Sequence, residues 1–94
     1  MSYAWHLAGD ALADLRPLEP WLQEEVLDEL DRVAAAPWAL RVDVSGYAVI
    51  DMDRFGVDIW HIVFVRLHRD DTRRVLTILG VSDQRRPRPE SDAR

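Results

Sequence analysis

His61 is the side chain in this sequence with the most chemistry to offer. It stands in "VDIWHIVFVRL", the one ionisable group between Asp58 and Arg66. Histidine titrates near neutrality and can serve as a general acid or base. Arg85, Arg86 and Arg88 follow near the end of the chain, and guanidinium groups suit phosphate oxygens. Phosphoryl-transfer chemistry of this kind needs a base at the nucleophile, cations for the charge on phosphorus and an acid at the leaving oxygen. His61 with Arg85 and Arg86 would supply that set, if the end of the chain folds back. Arg66 and Arg69, at the far end of the same apolar stretch, could extend the cluster, so Arg66, Arg69 and Arg88 are candidates for holding substrate. The plainer alternatives are a strand histidine with one hydrogen bond and a solubilising tail.

Other reactive sets are excluded. The chain has no cysteine, hence no disulfide, thiolate nucleophile or thiolate metal site. His6 and His68 read as structural or solvated, and no two histidines have ligand spacing with a carboxylate. In "DMDRFGVD", Asp51, Asp53 and Gly56 fall where a calcium loop has them, but Phe55 and Ile62 occupy ligand places. Neither a metal nor a cofactor is expected.

Ninety-four residues make one domain, with 48% apolar residues, four of them Trp. No apolar run reaches the ~20 residues of a membrane helix, and the start lacks a secretory pattern; a cytoplasmic location and no membrane contact are expected. The net charge is −5, and all twelve basic residues are arginine. Nucleic-acid binders usually carry a basic surplus, so any RNA contact here must be local.

The elements that must position these groups follow from periodicity. "YAWHLA" reads as a first strand, with Asp10 as N-cap of the helix "ALADLRPL", which Pro17 ends. In "EPWLQEEVLDELDRVAAAP", Leu22, Val26, Leu30 and Val33 share one face, giving an amphipathic helix stopped by Pro37. "YAVIDM", "VDIWHIVFVRL" and "VLTIL" read as strands, with "DRFG" and "HRDDTRR" as connections. The order β-α-α-β-β-β predicts an α+β fold, two N-terminal helices on one face of a mostly antiparallel sheet. Residues 1–82 form the domain. Residues 83–94 read as a charged, proline-containing tail. If Arg85 and Arg86 are functional, its removal would abolish activity and leave thermal stability unchanged; if activity persists, the tail is slack.

These pieces, "WHLAGDALADLRPL", the second helix ending before Pro37, and "GYAVID…DIWHIVFVRLHRDDTRRVLTILGV", resemble the RelE/ParE superfamily of bacterial toxins over residues 3–82. The resemblance implies a cognate antitoxin as partner. It also implies either ribosome-dependent messenger RNA cleavage, as in the RelE-like branch, or poisoning of DNA gyrase without nuclease chemistry, as in the ParE-like branch. RelE-like members carry basic residues on the open sheet face and near the C-terminus. Here Tyr47 is followed by Ala48, Val49 and Ile50 where basic residues recur, and His61 takes an arginine's place. No tail tyrosine follows Gly80.

Alternation sets His61, Val63 and Val65 on one strand face and Trp60, Ile62 and Phe64 on the other. If the aromatic face meets the helices, His61 lies on an open surface with Ala48, Ile50, Val63 and Val65. That surface is apolar and, with Trp38 in its loop, fits a protein partner: the antitoxin or a second copy. Two function classes therefore stand: a nuclease toxin, and a non-catalytic binder of gyrase or another protein.

Overall fold

The computed structural model describes residues 2–89. The chain runs β1 (Ala4–Leu7), α1 (Gly9–Leu15), α2 (Pro20–Ala35), a 3-10 turn at Pro37–Ala39, β2 (Tyr47–Phe55), β3 (Ile59–Asp70) and β4 (Val75–Pro87). This is the expected α+β order. The four strands form one sheet in the order β1-β4-β3-β2. β1 pairs parallel with β4, while β2–β3 and β3–β4 are antiparallel.

Apolar spacing builds the helix layer. Leu22, Val26, Leu30 and Val33 of α2, with Ala11 and Leu15 of α1, are buried against the sheet. Pro20 opens α2 where a missing N–H costs nothing. α1 begins after Ala8 rather than on an Asp10 cap; Asp10 lies in its first turn. The Gln23 amide closes the α1–α2 turn by donating to the Leu15, Arg16 and Leu18 carbonyls at 2.9–3.2 Å, which satisfies carbonyls that a helix end leaves open.

The sheet face that meets the helices is the reverse of the one expected. His61, Val63, Val65 and Leu67 point inward and are buried, together with Ala48, Met52, Leu76 and Ile78. Trp60, Ile62 and Phe64 are half-buried on the outer face. Ala48, Ile50, Val63 and Val65 are thus core rather than a partner surface; Ile50 is the least covered of the four. Both faces of β3 are apolar, so β2 decides: its outward positions are Tyr47, Val49, Asp51, Asp53 and Phe55, and the two aspartates belong in water.

Two turns frame the hairpins. Gly46, at φ 92°, sits where a Cβ would lie 2.8 Å from His68 Nε2, so only glycine fits. The β3–β4 turn is held by Asp70, whose carboxylate accepts from the Thr72 and Arg73 N–H groups at 3.0 Å. The Tyr3 hydroxyl donates to Asp71 at 2.8 Å, tying β1 to this turn. That bond holds the Asp71 carboxyl below its ordinary range and pushes the Tyr3 phenol up.

β4 continues to Pro87, correcting the reading of a tail from Asp83 onward. Only residues 90–94 of that tail lie outside the described residues. A one-residue bulge interrupts the β3–β4 ladder: Leu67 pairs with Ile78 and Arg66 with Gly80, leaving Leu79 as the extra residue. The Val81 N–H beside it donates to the Asp14 carboxylate of α1 at 2.9 Å. Leu67 is fully buried at this junction. Leu67→Ala should lower unfolding free energy by about 2–5 kcal/mol, read by denaturant titration with an unchanged m-value.

Candidate active site

The end of the sheet nearest the start of α2 gathers the charged residues. On the inner face, His61 stands between Arg54 of β2 and Arg85 of β4, its partners in the two ladders. Neighbouring strands lie about 4.8 Å apart, so the three form a row across the sheet. Each arginine already meets a carboxylate. Arg54 Nε donates to Glu25 at 2.6 Å, and Arg85 Nε donates to Asp83 at 3.3 Å.

Asp83 also holds the histidine. The His61 Nδ1 lies 2.9 and 3.1 Å from the two Asp83 carboxylate oxygens. An ionised carboxylate only accepts, so the Nδ1–H donates. In the neutral ring this leaves the lone pair on Nε2, the atom a general base would use. His61 is 1% exposed and the Asp83 side chain 7%, and Nε2 is buried without a hydrogen-bond partner. The Trp21 indole, in the first turn of α2, packs edge-to-face on the ring at 5.5 Å and 74°. The indole N–H reaches Glu19 only at 3.4 Å, a weak tether.

A cleft of about 720 Å³ opens here, lined by Glu19, Trp21, Phe55, Asp58, His61 and Arg88 among others. Arg88 lies 5.5 Å over the Phe55 ring and donates to the Gly56 carbonyl at 3.2 Å. The cleft thus sets one guanidinium, two carboxylates and aromatic walls around one imidazole. Among the described residues, no group of three His, Cys, Asp or Glu side chains could hold a metal ion.

The sequence-derived candidates divide accordingly. His61, Arg85 and Arg88 come together. Arg86 pairs with Trp60 and so lies on the outer face. Arg66 is also on the outer face, toward the other end of β3. Arg69 is structural: it donates to the Pro37 and Leu40 carbonyls at 3.0 Å and to Asp71 at 3.3 Å. Trp38 is 66% exposed. Sequence reasoning missed Asp83, Arg54 and Trp21. The signal for Asp83 was its spacing, two residues before Arg85 and so on the same strand face, but that matters only once residues 82–87 are read as strand.

The fold defined by this sheet and helix layer is that of the RelE toxins. A free, doubly substituted form of the E. coli toxin RelE superposes with a TM-score of 0.70 at 19% identity, covering 87% of this chain and 83% of that one. The intact E. coli RelBE toxin–antitoxin complex gives 0.69 at 18% identity, covering 90% of this chain and all of that one. The RelBE2 toxin–antitoxin complex of Mycobacterium tuberculosis gives 0.67 at 20%, covering 89% and 93%. No family model matches the sequence, and no curated protein matches it either. Among the described residues, no helix is long and apolar enough to cross a membrane.

The pairing of residues 83–87 with β3 gives the tail a structural role that a solvated end would lack. Asp83→Ala should cost about 1–3 kcal/mol, the penalty for a buried donor left unpaired. A chain ending at Ser82 should lose at least as much and melt measurably lower. An unchanged melting temperature in both would show that this pairing contributes nothing in solution.

Proposed function

We propose that the chain is the toxin half of a toxin–antitoxin pair and that it inhibits translation by cutting ribosome-bound messenger RNA in the cytoplasm. The observation that carries the chemistry is the Arg54–His61–Arg85 row with Asp83 behind the imidazole. In this reading Asp83 fixes the ring, and Nε2 takes the 2′-hydroxyl proton as that oxygen bonds to phosphorus. The bond from phosphorus to the 5′-oxygen breaks with the leaving oxygen protonated from water, and the two guanidiniums stabilise charge developing on the phosphate. Arg88, at the mouth of the same cleft, holds the strand. The RelE-like fold and its recurrence in RelBE complexes support the toxin role and an antitoxin partner.

The buried Nε2 must be uncovered to meet a substrate. A second reading rests on that burial and on the acids Glu19, Glu25, Asp58 and Asp83 around the row. It makes the chain a non-catalytic toxin that binds gyrase or another protein, and Trp38 would belong to the partner surface.

Induced expression in a bacterial host separates the two. The nuclease reading expects growth arrest with fragmented transcripts in the wild type, and intact transcripts with normal growth in His61→Ala at equal protein level. Asp83→Asn should retain partial cleavage, because it keeps the shape but weakens the hold on the ring. Arrest with intact transcripts would move the account to the binding reading.

A further inference from the structure

A second cationic site lies outside the His61 cleft. Arg54, Arg69, Arg73 and Arg85 meet carboxylates, and Arg88 meets the Gly56 carbonyl and the Phe55 ring. Arg41 and Arg66 make no hydrogen bond or ion pair among the described residues, in a chain that carries seventeen acids. Both line a cleft of about 500 Å³ on the outer sheet face, with Tyr47, Val49 and Leu79. The one carboxylate there, Asp43, is turned into its own loop, accepting from the Ser45 and Tyr47 N–H groups at 2.8 and 2.9 Å.

The backbone is shaped around Arg66. Its cross-strand partner is Gly80, next to the Leu79 bulge. A Cβ at Gly80 would collide with the Arg66 guanidinium, so glycine lets that group lie flat on the sheet. The guanidinium has room to lie over Gly80 and meets no carboxylate, which leaves its donor edge for a ligand. Two such forks and the Tyr47 phenol are acceptor-seeking groups suited to phosphate oxygens. Continuing along the outer face of β3, Phe64 and Trp60 are half-buried, and Phe55 stacks on Trp60 at 5.9 Å. Arginines at one end of an aromatic strip suit a single strand whose bases stack, its phosphate contact confined to the arginine end because Asp51 and Asp53 stand opposite Phe64 and Ile62.

We propose that Arg41 and Arg66 clamp a backbone phosphate of single-stranded RNA at a site separate from the point of cleavage. The site is five residues along β3 from His61, about 17 Å, and on the opposite face. The inference rests on the proposed reading only for the identity of the polymer. A phosphate held there is not the scissile one; it sets how the strand runs across the sheet.

The test is an equilibrium one, fluorescence anisotropy with a short labelled 2′-O-methyl RNA that cannot be cut. Arg41→Ala and Arg66→Ala should each bind about ten-fold more weakly, with the salt slope reduced by about 0.7 per arginine. Gly80→Ala should weaken binding with the charge unchanged; its melting curve checks the fold, and the two arginine variants decide if it does not fold. Arg16→Ala, an exposed arginine after α1, is the control. If the wild type does not bind, or if Arg41 and Arg66 variants behave like Arg16→Ala, the proposal is overturned. Uncut transcripts in cells would instead count against the nuclease reading, since binding to this RNA needs no chemistry at His61.

Discussion

The extra residue at Leu79 governs what the second half of β4 shows to the helices. Side chains alternate along a strand, so a slip of one residue exchanges the two faces. Before the bulge, Leu76 and Ile78 face the core; after it, Val81, Asp83 and Arg85 do. In an unbroken ladder Ser82, Gln84 and Arg86 would face inward, and His61 would have no carboxylate beside it. The bulge is held from both sides. Asp14 takes the Val81 N–H from the helix layer, and Arg66 lies against Gly80 on the outer face. Both the imidazole cleft and the outer arginine pair depend on this one irregularity.

The charge arrangement follows a common logic at both sites. The inner arginines are matched in advance, Arg54 by Glu25 and Arg85 by Asp83, so the row can sit partly buried without stranded charge. A phosphate entering the cleft has to compete with those carboxylates, and the buried Nε2 has to be uncovered. The resting site is therefore closed and nearly neutral. The outer pair is the opposite case, unmatched and solvent-facing, which suits a first contact that holds a strand before the inner site engages it. A net-acidic protein can meet RNA in this way only through a local contact, since Arg41 also borders a cleft that Glu29 and Asp51 line.

Much of the fold was legible because its signals are periodic. The spacing of Leu22, Val26, Leu30 and Val33 gave α2, and proline gave its ends. The β-α-α-β-β-β order followed from those segments. What could not be read was which face of β3 is inside, since Trp60, Ile62 and Phe64 are as apolar as Val63 and Val65. Large aromatics favoured the wrong face. The parity of Asp51 and Asp53 on β2 carried the answer, but only with the register that sets Asp51 opposite Phe64 and Asp53 opposite Ile62. The polar run "SDQRRP" gives no strand signal of its own; pairing with β3 overrides its weak propensity. His61 and Arg85 were therefore found for their chemistry, while Asp83, which joins them, was lost with the tail.

The central claim is that Asp83 holds His61 with Nε2 free. The direct measurement is the nitrogen-15 spectrum of the His61 ring, through its two-bond couplings to the ring protons, in the neutral imidazole. A single static ring with the proton on Nδ1 is expected, with loss of that preference in Asp83→Ala. A proton on Nε2, or a spectrum unchanged by removing Asp83, would contradict it.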